Sequence, residues 1–99
     1  ILIDVREPEE LQYGMIPTAK NITLGQLDAA LDLPSQEFDH KYHTPKPQKD
    51  DLLIFHCRTG VRGGMATALA RKKGFANAKN FKGSIQAWSA IDKNVKMYG

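Results

Sequence analysis

The run Ile1-Leu2-Ile3-Asp4-Val5 is almost wholly apolar with no polar alternation, which predicts a short strand covered on both faces. Strands of that kind belong to parallel sheets. Glu7-Pro8-Glu9-Glu10-Leu11 then reads as a helix start, because proline suits the first helical turn and the three carboxylates favour the positive end of the helix dipole. Gly14 is expected to end it. Lys20-Asn21-Ile22 has room only for a brief strand, and Leu24, Leu27 and Leu31 recur on one face of a small helix closed by Pro34. Ser35 is the predicted N-cap of a further helix whose apolar positions are Phe38 and Tyr42.

Pro45-Lys46-Pro47-Gln48-Lys49-Asp50-Asp51 is a polar loop punctuated by proline. Leu52-Leu53-Ile54-Phe55 gives the strongest strand signal, and it runs straight into His56-Cys57-Arg58-Thr59-Gly60-Val61-Arg62-Gly63-Gly64. A helix beginning near Gly63 follows, with Met65, Ala66, Leu69 and Ala70 on its buried face and Lys72-Lys73-Gly74 at its carboxyl end. A short strand is expected from Ala78 to Phe81, then a last helix from Ser84 to Ala90 with Ile85 and Trp88 on one side. Strand and helix alternate throughout, which predicts an α/β fold with an open, mainly parallel sheet flanked by helices on both faces. Ligands of such sheets bind beyond the carboxyl ends of the strands, where Cys57 falls.

With 99 residues, the chain is expected to form a single domain over positions 1–99, since two cores would each be too small. Apolar residues make up 41% and charged residues 25%, values typical of a globular domain. The net charge of +3 comes from cations spread along the chain, which argues against nucleic acid as a partner. No apolar run approaches the roughly 20 residues a membrane helix needs, and no leader peptide is recognisable. The first residues already read as a strand, so the chain is expected to start inside its fold. One cysteine rules out an intrachain disulfide and suits a reducing compartment. Cytoplasm is the default location, with mitochondria left open, and a monomer is expected.

The segment around Cys57 carries the chemistry. A thiol reacts as the thiolate, and its ordinary pKa of about 8.5 falls near cations or a helix amino terminus. Arg58 and Arg62 lie close in sequence, the following helix aims unpaired N–H groups at the same space, and Gly60, Gly63 and Gly64 let the backbone curl into an anion nest. Such a cradle suits a thiolate, a persulfide, the sulfonyl end of thiosulfate, or a phosphate. Loop size argues against phosphate. Four residues separate Cys57 from Arg62, one fewer than in cysteine-based phosphatases, and Gly63 stands where those enzymes place their arginine.

Cys57-Arg58-Thr59-Gly60-Val61-Arg62 resembles the six-residue active-site loop of the rhodanese superfamily. Three further segments resemble that family in the same order: Asp4-Val5-Arg6-Glu7, Gly14 through Ile22, and Gly83-Ser84 followed by Trp88. The middle of the chain, from Leu27 through Phe38 to Pro47, is similar to animal single-domain thiosulfate:glutathione sulfurtransferases and their insect heat-shock-locus relatives. Met15 stands where the family usually has histidine, and Ser84 replaces the second of two glycines. Most relatives also carry a strand and helix before the segment matched by Asp4-Val5-Arg6, so an amino-terminal edge strand is expected to be missing.

The resemblance implies a rhodanese-type thiosulfate sulfurtransferase that needs no metal or organic cofactor. Cys57 would take the outer sulfur of thiosulfate as a persulfide and pass it to glutathione, to cyanide or to another thiol acceptor such as thioredoxin. Arg58 and Arg62 would bind the anionic donor, and the loop amides of Arg58, Thr59, Gly60, Val61, Arg62 and Gly63 would hold the terminal sulfur.

Plainer readings compete for several of these residues. A cysteine after an apolar strand is commonly a small core residue, though this loop favours a nucleophile. Arg58 and Arg62 could also be ordinary solvated cations, a plainer reading that is the lesser one for Arg58 and weaker still for Arg62, which closes the loop. Asp4 and Arg6 are expected to form an ion pair that supports the loop, and Trp88 to pack in the core. His40 and His43 lack the further ligands a metal would need. His56 should point away from the loop, since neighbouring strand residues alternate faces. Two rival functions stay open: a carrier that exchanges persulfide with a protein partner, and a phosphatase or arsenate reductase.

Overall fold

The computed structural model describes residues 1–96. Four parallel strands, β1 (Leu2–Asp4), β2 (Lys20–Asn21), β3 (Leu53–His56) and β4 (Ala78–Asn80), form one sheet in the order β2-β1-β3-β4. Every connection therefore crosses over the sheet. The helices are α1 (Leu24–Asp32), α2 (Ser35–Tyr42), α3 (Val61–Lys72) and α4 (Ser84–Ser89).

Alternation along the strands divides the core in two. Ile3, Val5, Leu53 and Phe55 join Leu27, Leu31, Phe38, Ala66 and Ala70 in the larger cluster, under α1, α2 and α3. Leu2 turns to the opposite face, where Ile85 and Trp88 of α4 pack with Ile16 and Val95. Helices thus cover both faces, as the unalternating strands predicted.

Local differences have physical causes. The segment after β1 is a 3₁₀ helix, Pro8–Tyr13, closed at its start by a capping box in which Glu7 and Glu10 bond each other's backbone N–H groups. Gly14 ends it at φ 110°, with its N–H on the Leu11 carbonyl. Ser35 is the first helical residue of α2 rather than its cap, a position that Pro34 takes without a side-chain hydrogen bond. His43 ends that helix at φ 57°.

Helix α3 starts two residues earlier than expected, at Val61, with Gly60 as its cap at φ 105°. Its buried face is narrower than predicted: Gly63, Ala66, Thr67 and Ala70 pack inward, while Met65 is 56% exposed. Small residues let the helix lie close on the sheet, and they leave the larger Met65 outside. The last helix ends at Ser89, and Trp88 is half-buried with its indole N–H on the Asp92 carboxylate at 2.9 Å.

Candidate active site

Because all four strands run the same way, their carboxyl ends gather Asp4, Arg6, Asn21, Cys57 and Asn80 at one edge of the sheet. Asp4 lies opposite His56 in the β1–β3 ladder and opposite Asn21 in the β1–β2 ladder. The Val5 N–H reaches the His56 carbonyl at 3.0 Å, which carries the pairing up to the cysteine.

Cys57 is free, buried and continuous with the larger core, with 1% of its surface exposed. The chain leaves β3 and turns at Gly60 into α3, so Sγ lies within the curl of the loop. The Gly60 N–H donates to Sγ at 3.1 Å. Burial alone would push the thiol pKa up. The backbone N–H groups of Gly63, Gly60, Thr59 and Arg62 outweigh that, and the net shift is below the ordinary value. Four of the six predicted loop positions therefore act on sulfur through their amides. The side chains of Arg58, Thr59 and Val61 are exposed.

Two close approaches force the loop's glycines. A Cβ on Gly60 would lie 2.3 Å from the Lys82 carbonyl oxygen, and the positive φ is one that L side chains rarely adopt. A Cβ on Gly63 would lie 2.4 Å from Asn80 Oδ1 and 3.3 Å from the His56 Cα. Asn80 also donates its Nδ2 to the Gly60 carbonyl at 3.0 Å, which ties the turn to the end of β4.

Arg62 is committed to a carboxylate that the sequence did not single out. Its Nη1 and Nη2 reach Glu10 Oε1 and Oε2 at 2.5 and 2.9 Å, a two-pronged ion pair between the loop and the 3₁₀ helix. The hydrogen bond from Arg62 holds the Glu10 carboxyl down at about 2, against a smaller opposing effect of burial. Arg62 is raised above its ordinary value, first by that bond and further by the nearby Cys57 and Asp4. By sequence Glu10 is one of three carboxylates, with Glu7 and Glu9, that suit the positive end of a helix dipole. Nothing in the sequence marked it as the partner of Arg62, which lies 52 residues away.

Asp4 and Arg6 form the expected ion pair, and both are buried. Arg6 Nε and Nη2 reach the Asp4 carboxylate at 3.0 and 2.8 Å, while Nη1 donates to the Glu10 carbonyl and Nη2 also to that of Gly14. Arg6 thereby fixes the backbone of the segment that carries Glu10. His56 lies on the Asp4 side of the sheet, with Nε2 3.9 Å from the Asp4 carboxylate and unpaired, and Nδ1 3.4 Å from the Cys57 carbonyl. Burial lowers its pKa more than Asp4 raises it, which favours the neutral ring. His40 on α2 and His43 just past its end are exposed and take no part in this network.

The rhodanese-like domain profile matches residues 1–91 of the chain. A fruit-fly rhodanese domain-containing protein, CG4456, is 45% identical over 89 residues, covering 89% of this chain and 80% of that protein. The human thiosulfate:glutathione sulfurtransferase is 41% identical over 88% of this chain and 76% of its own length. A budding-yeast mitochondrial thiosulfate sulfurtransferase, RDL2, is 42% identical over 91% of this chain, which spans only 60% of that protein. Among solved structures, the human single-domain sulfurtransferase TSTD1 superposes with a TM-score of 0.88 at 39% identity, over 92% of this chain and 81% of its own. The amide-lined cysteine loop, the parallel sheet that presents it and these likenesses agree, and the chain belongs to the rhodanese-like domain family.

Proposed function

We propose that the chain is a sulfurtransferase that moves sulfane sulfur from thiosulfate, through a persulfide on Cys57, to glutathione. The carrying observation is the ring of backbone N–H groups from Thr59, Gly60, Arg62 and Gly63 turned toward Sγ. Such a ring favours the thiolate that attacks and the persulfide anion that follows. In the first half-reaction the Cys57 thiolate attacks the outer sulfur of thiosulfate, the S–S bond breaks, and sulfite leaves with the bonding pair. In the second, glutathione thiolate attacks the outer sulfur of the persulfide, yielding glutathione persulfide and the Cys57 thiolate. Sulfur changes hands and no external oxidant is consumed.

The 1% exposure of Cys57 favours a donor that ends in a single narrow atom over an aryl phosphate. Both substrates are anions. A cleft of about 450 Å³ lined in part by Gly64, Arg71, Lys79 and Lys82 adjoins the loop through Gly64 and the Lys82 carbonyl, and it supplies positive charge nearby. The names of the human and yeast relatives support the same donor, and the human name supports glutathione.

A second reading, persulfide delivery to a protein such as thioredoxin, is favoured by Val61 and Met65. They are 71% and 56% exposed on successive turns of α3 next to the loop.

Intact mass after brief incubation with thiosulfate tests the proposal. Wild type should gain one sulfur atom and Cys57→Ser none, and glutathione should remove it as a small-molecule persulfide. A folded protein that stays unloaded overturns thiosulfate as donor; a loaded protein that glutathione leaves unchanged points to a protein acceptor. Robust Cys57-dependent hydrolysis of an aryl phosphate would overturn sulfur transfer altogether.

A further inference from the structure

Ser84 departs from glycine at a position where the backbone asks for glycine. Its φ is +51°, in the left-handed region that L residues other than asparagine and aspartate seldom occupy. The residue is fully buried. What the hydroxyl does there is specific: Oγ donates to the Phe81 carbonyl at 2.7 Å and accepts the Cys57 N–H at 3.1 Å. Commitment of its proton to Phe81 leaves a lone pair aimed at Cys57, so the two bonds have fixed directions.

The neighbouring backbone completes a clamp. The Ile85 N–H donates to the Cys57 carbonyl at 3.1 Å and the Gln86 N–H to the Arg58 carbonyl at 3.0 Å. Both peptide groups flanking the Cys57 Cα are thus held from the start of α4; the sheet holds the first of them only through the His56 carbonyl, and its N–H is held by the Ser84 side chain alone. The direction of the Cys57 Cα–Cβ bond decides whether Sγ sits at the focus of the loop amides.

We propose that Ser84 is a positioning residue, whose hydroxyl fixes the Cys57 backbone so that Sγ stays centred on the loop N–H groups. Its role rests on Cys57 as the reacting thiol, and it is read on the thiol itself, apart from any sulfur donor. Without the hydroxyl the Cys57 N–H has no partner, its peptide keeps only the Val5 N–H bond to the His56 carbonyl and can tilt about it, and the thiolate loses part of its amide shell.

Ser84→Ala removes the hydroxyl and keeps the strained φ; Ser84→Gly removes the hydroxyl and relieves the strain. Cys57 is the only cysteine, so thiolate absorbance near 240 nm and alkylation by iodoacetamide report on it alone. Both variants should show a thiol pKa raised toward the ordinary value and alkylation at neutral pH slowed by at least about threefold. Ser84→Gly should keep the helical circular dichroism of the wild type. A folded Ser84→Gly protein with the wild-type thiol titration overturns the proposal, even if Ser84→Ala fails to fold. If the titration shifts as expected but wild type takes no sulfur from thiosulfate, the thiosulfate proposal fails and the positioning role stands.

Discussion

Glu10 and Arg62 are 52 residues apart in sequence and meet through two parallel hydrogen bonds, joining the 3₁₀ helix after β1 to the first turn of α3. Both side chains are about 30% exposed, at 29% and 31%, so the pair adds only about 1 kcal/mol to overall stability. Its larger effect is on aim. Arg62 lies within the cysteine loop and contributes one of the amides that lower the Cys57 pKa, and Glu10 holds the residue that carries it.

Glu10→Gln should therefore separate stability from reactivity. The amide keeps the shape and loses the charge, so the thermal midpoint should drop by no more than a few degrees. Sulfur loading from thiosulfate should slow on the order of tenfold, because misplacement by a fraction of an ångström is costly at a reacting atom. A rate within twofold of wild type, from single-turnover mass spectrometry, would show that Arg62 holds its place without Glu10.

Asp4→Asn tests the deeper pair. Asp4 and Arg6 are 0% and 1% exposed, and neutralising Asp4 leaves a guanidinium in the interior without its counter-charge. Breaking a buried pair from one side costs about 3–5 kcal/mol, a large part of the stability of a domain this size. Chemical denaturation should show a midpoint far below that of wild type. A loss under about 1 kcal/mol would mean that water reaches Arg6.

The central strands β1 and β3 were legible because covered strands carry no polar alternation, and the turns because glycines and prolines stand at them. The cysteine loop was legible because its chemistry is compressed into consecutive residues, from Cys57 to Gly63. Contacts that depend on register between distant segments left little trace. Glu10 looked like any carboxylate in a first turn, and Asn80 like a polar strand end, yet one holds Arg62 and the other bonds Gly60. Ser84 was visible as a departure from glycine, but not as the acceptor of the Cys57 N–H. Met65 misled because helical periodicity describes a face and not its width, which here is set by how closely α3 lies on the sheet.

Acid should act on stability in two stages. Burial depresses the His56 pKa in the folded state, so the unfolded chain binds the proton first. That contribution is full above the unfolded value of about 6.5 and fades as pH falls below it. Glu10, ordinarily 4.5 and here about 2, contributes stability that is full above 4.5 and is lost as pH falls toward 2, discounted for its exposure. Denaturation midpoints across pH should thus decline from about 6.5 downward and again below about 4.5. His56→Gln should flatten the upper decline only. An unchanged slope in that variant would assign the upper stage to another group.

The cysteine loop should act as a unit, with thiol acidity following loop shape. In wild type the Cys57 thiolate forms below the ordinary thiol pKa because the N–H groups of Gly63, Gly60, Thr59 and Arg62 outweigh burial. Thiosulfate loading should therefore rise with pH only until that depressed pKa and be level above it. Gly60→Ala puts a Cβ at 2.3 Å from the Lys82 carbonyl and holds an L residue at φ +105°. The clash is with backbone, so the turn itself must move, at a cost above about 2 kcal/mol. Sγ then loses the 3.1 Å bond from the Gly60 N–H along with the aim of its neighbours. In this variant the inflection should shift to higher pH and loading at neutral pH should fall by about tenfold or more, as the thiolate fraction falls. If loading slows with the inflection unmoved, the amides serve access to the thiol and not its charge. If neither changes, the loop tolerates a turn that these contacts forbid, and the cradle is not what activates Cys57.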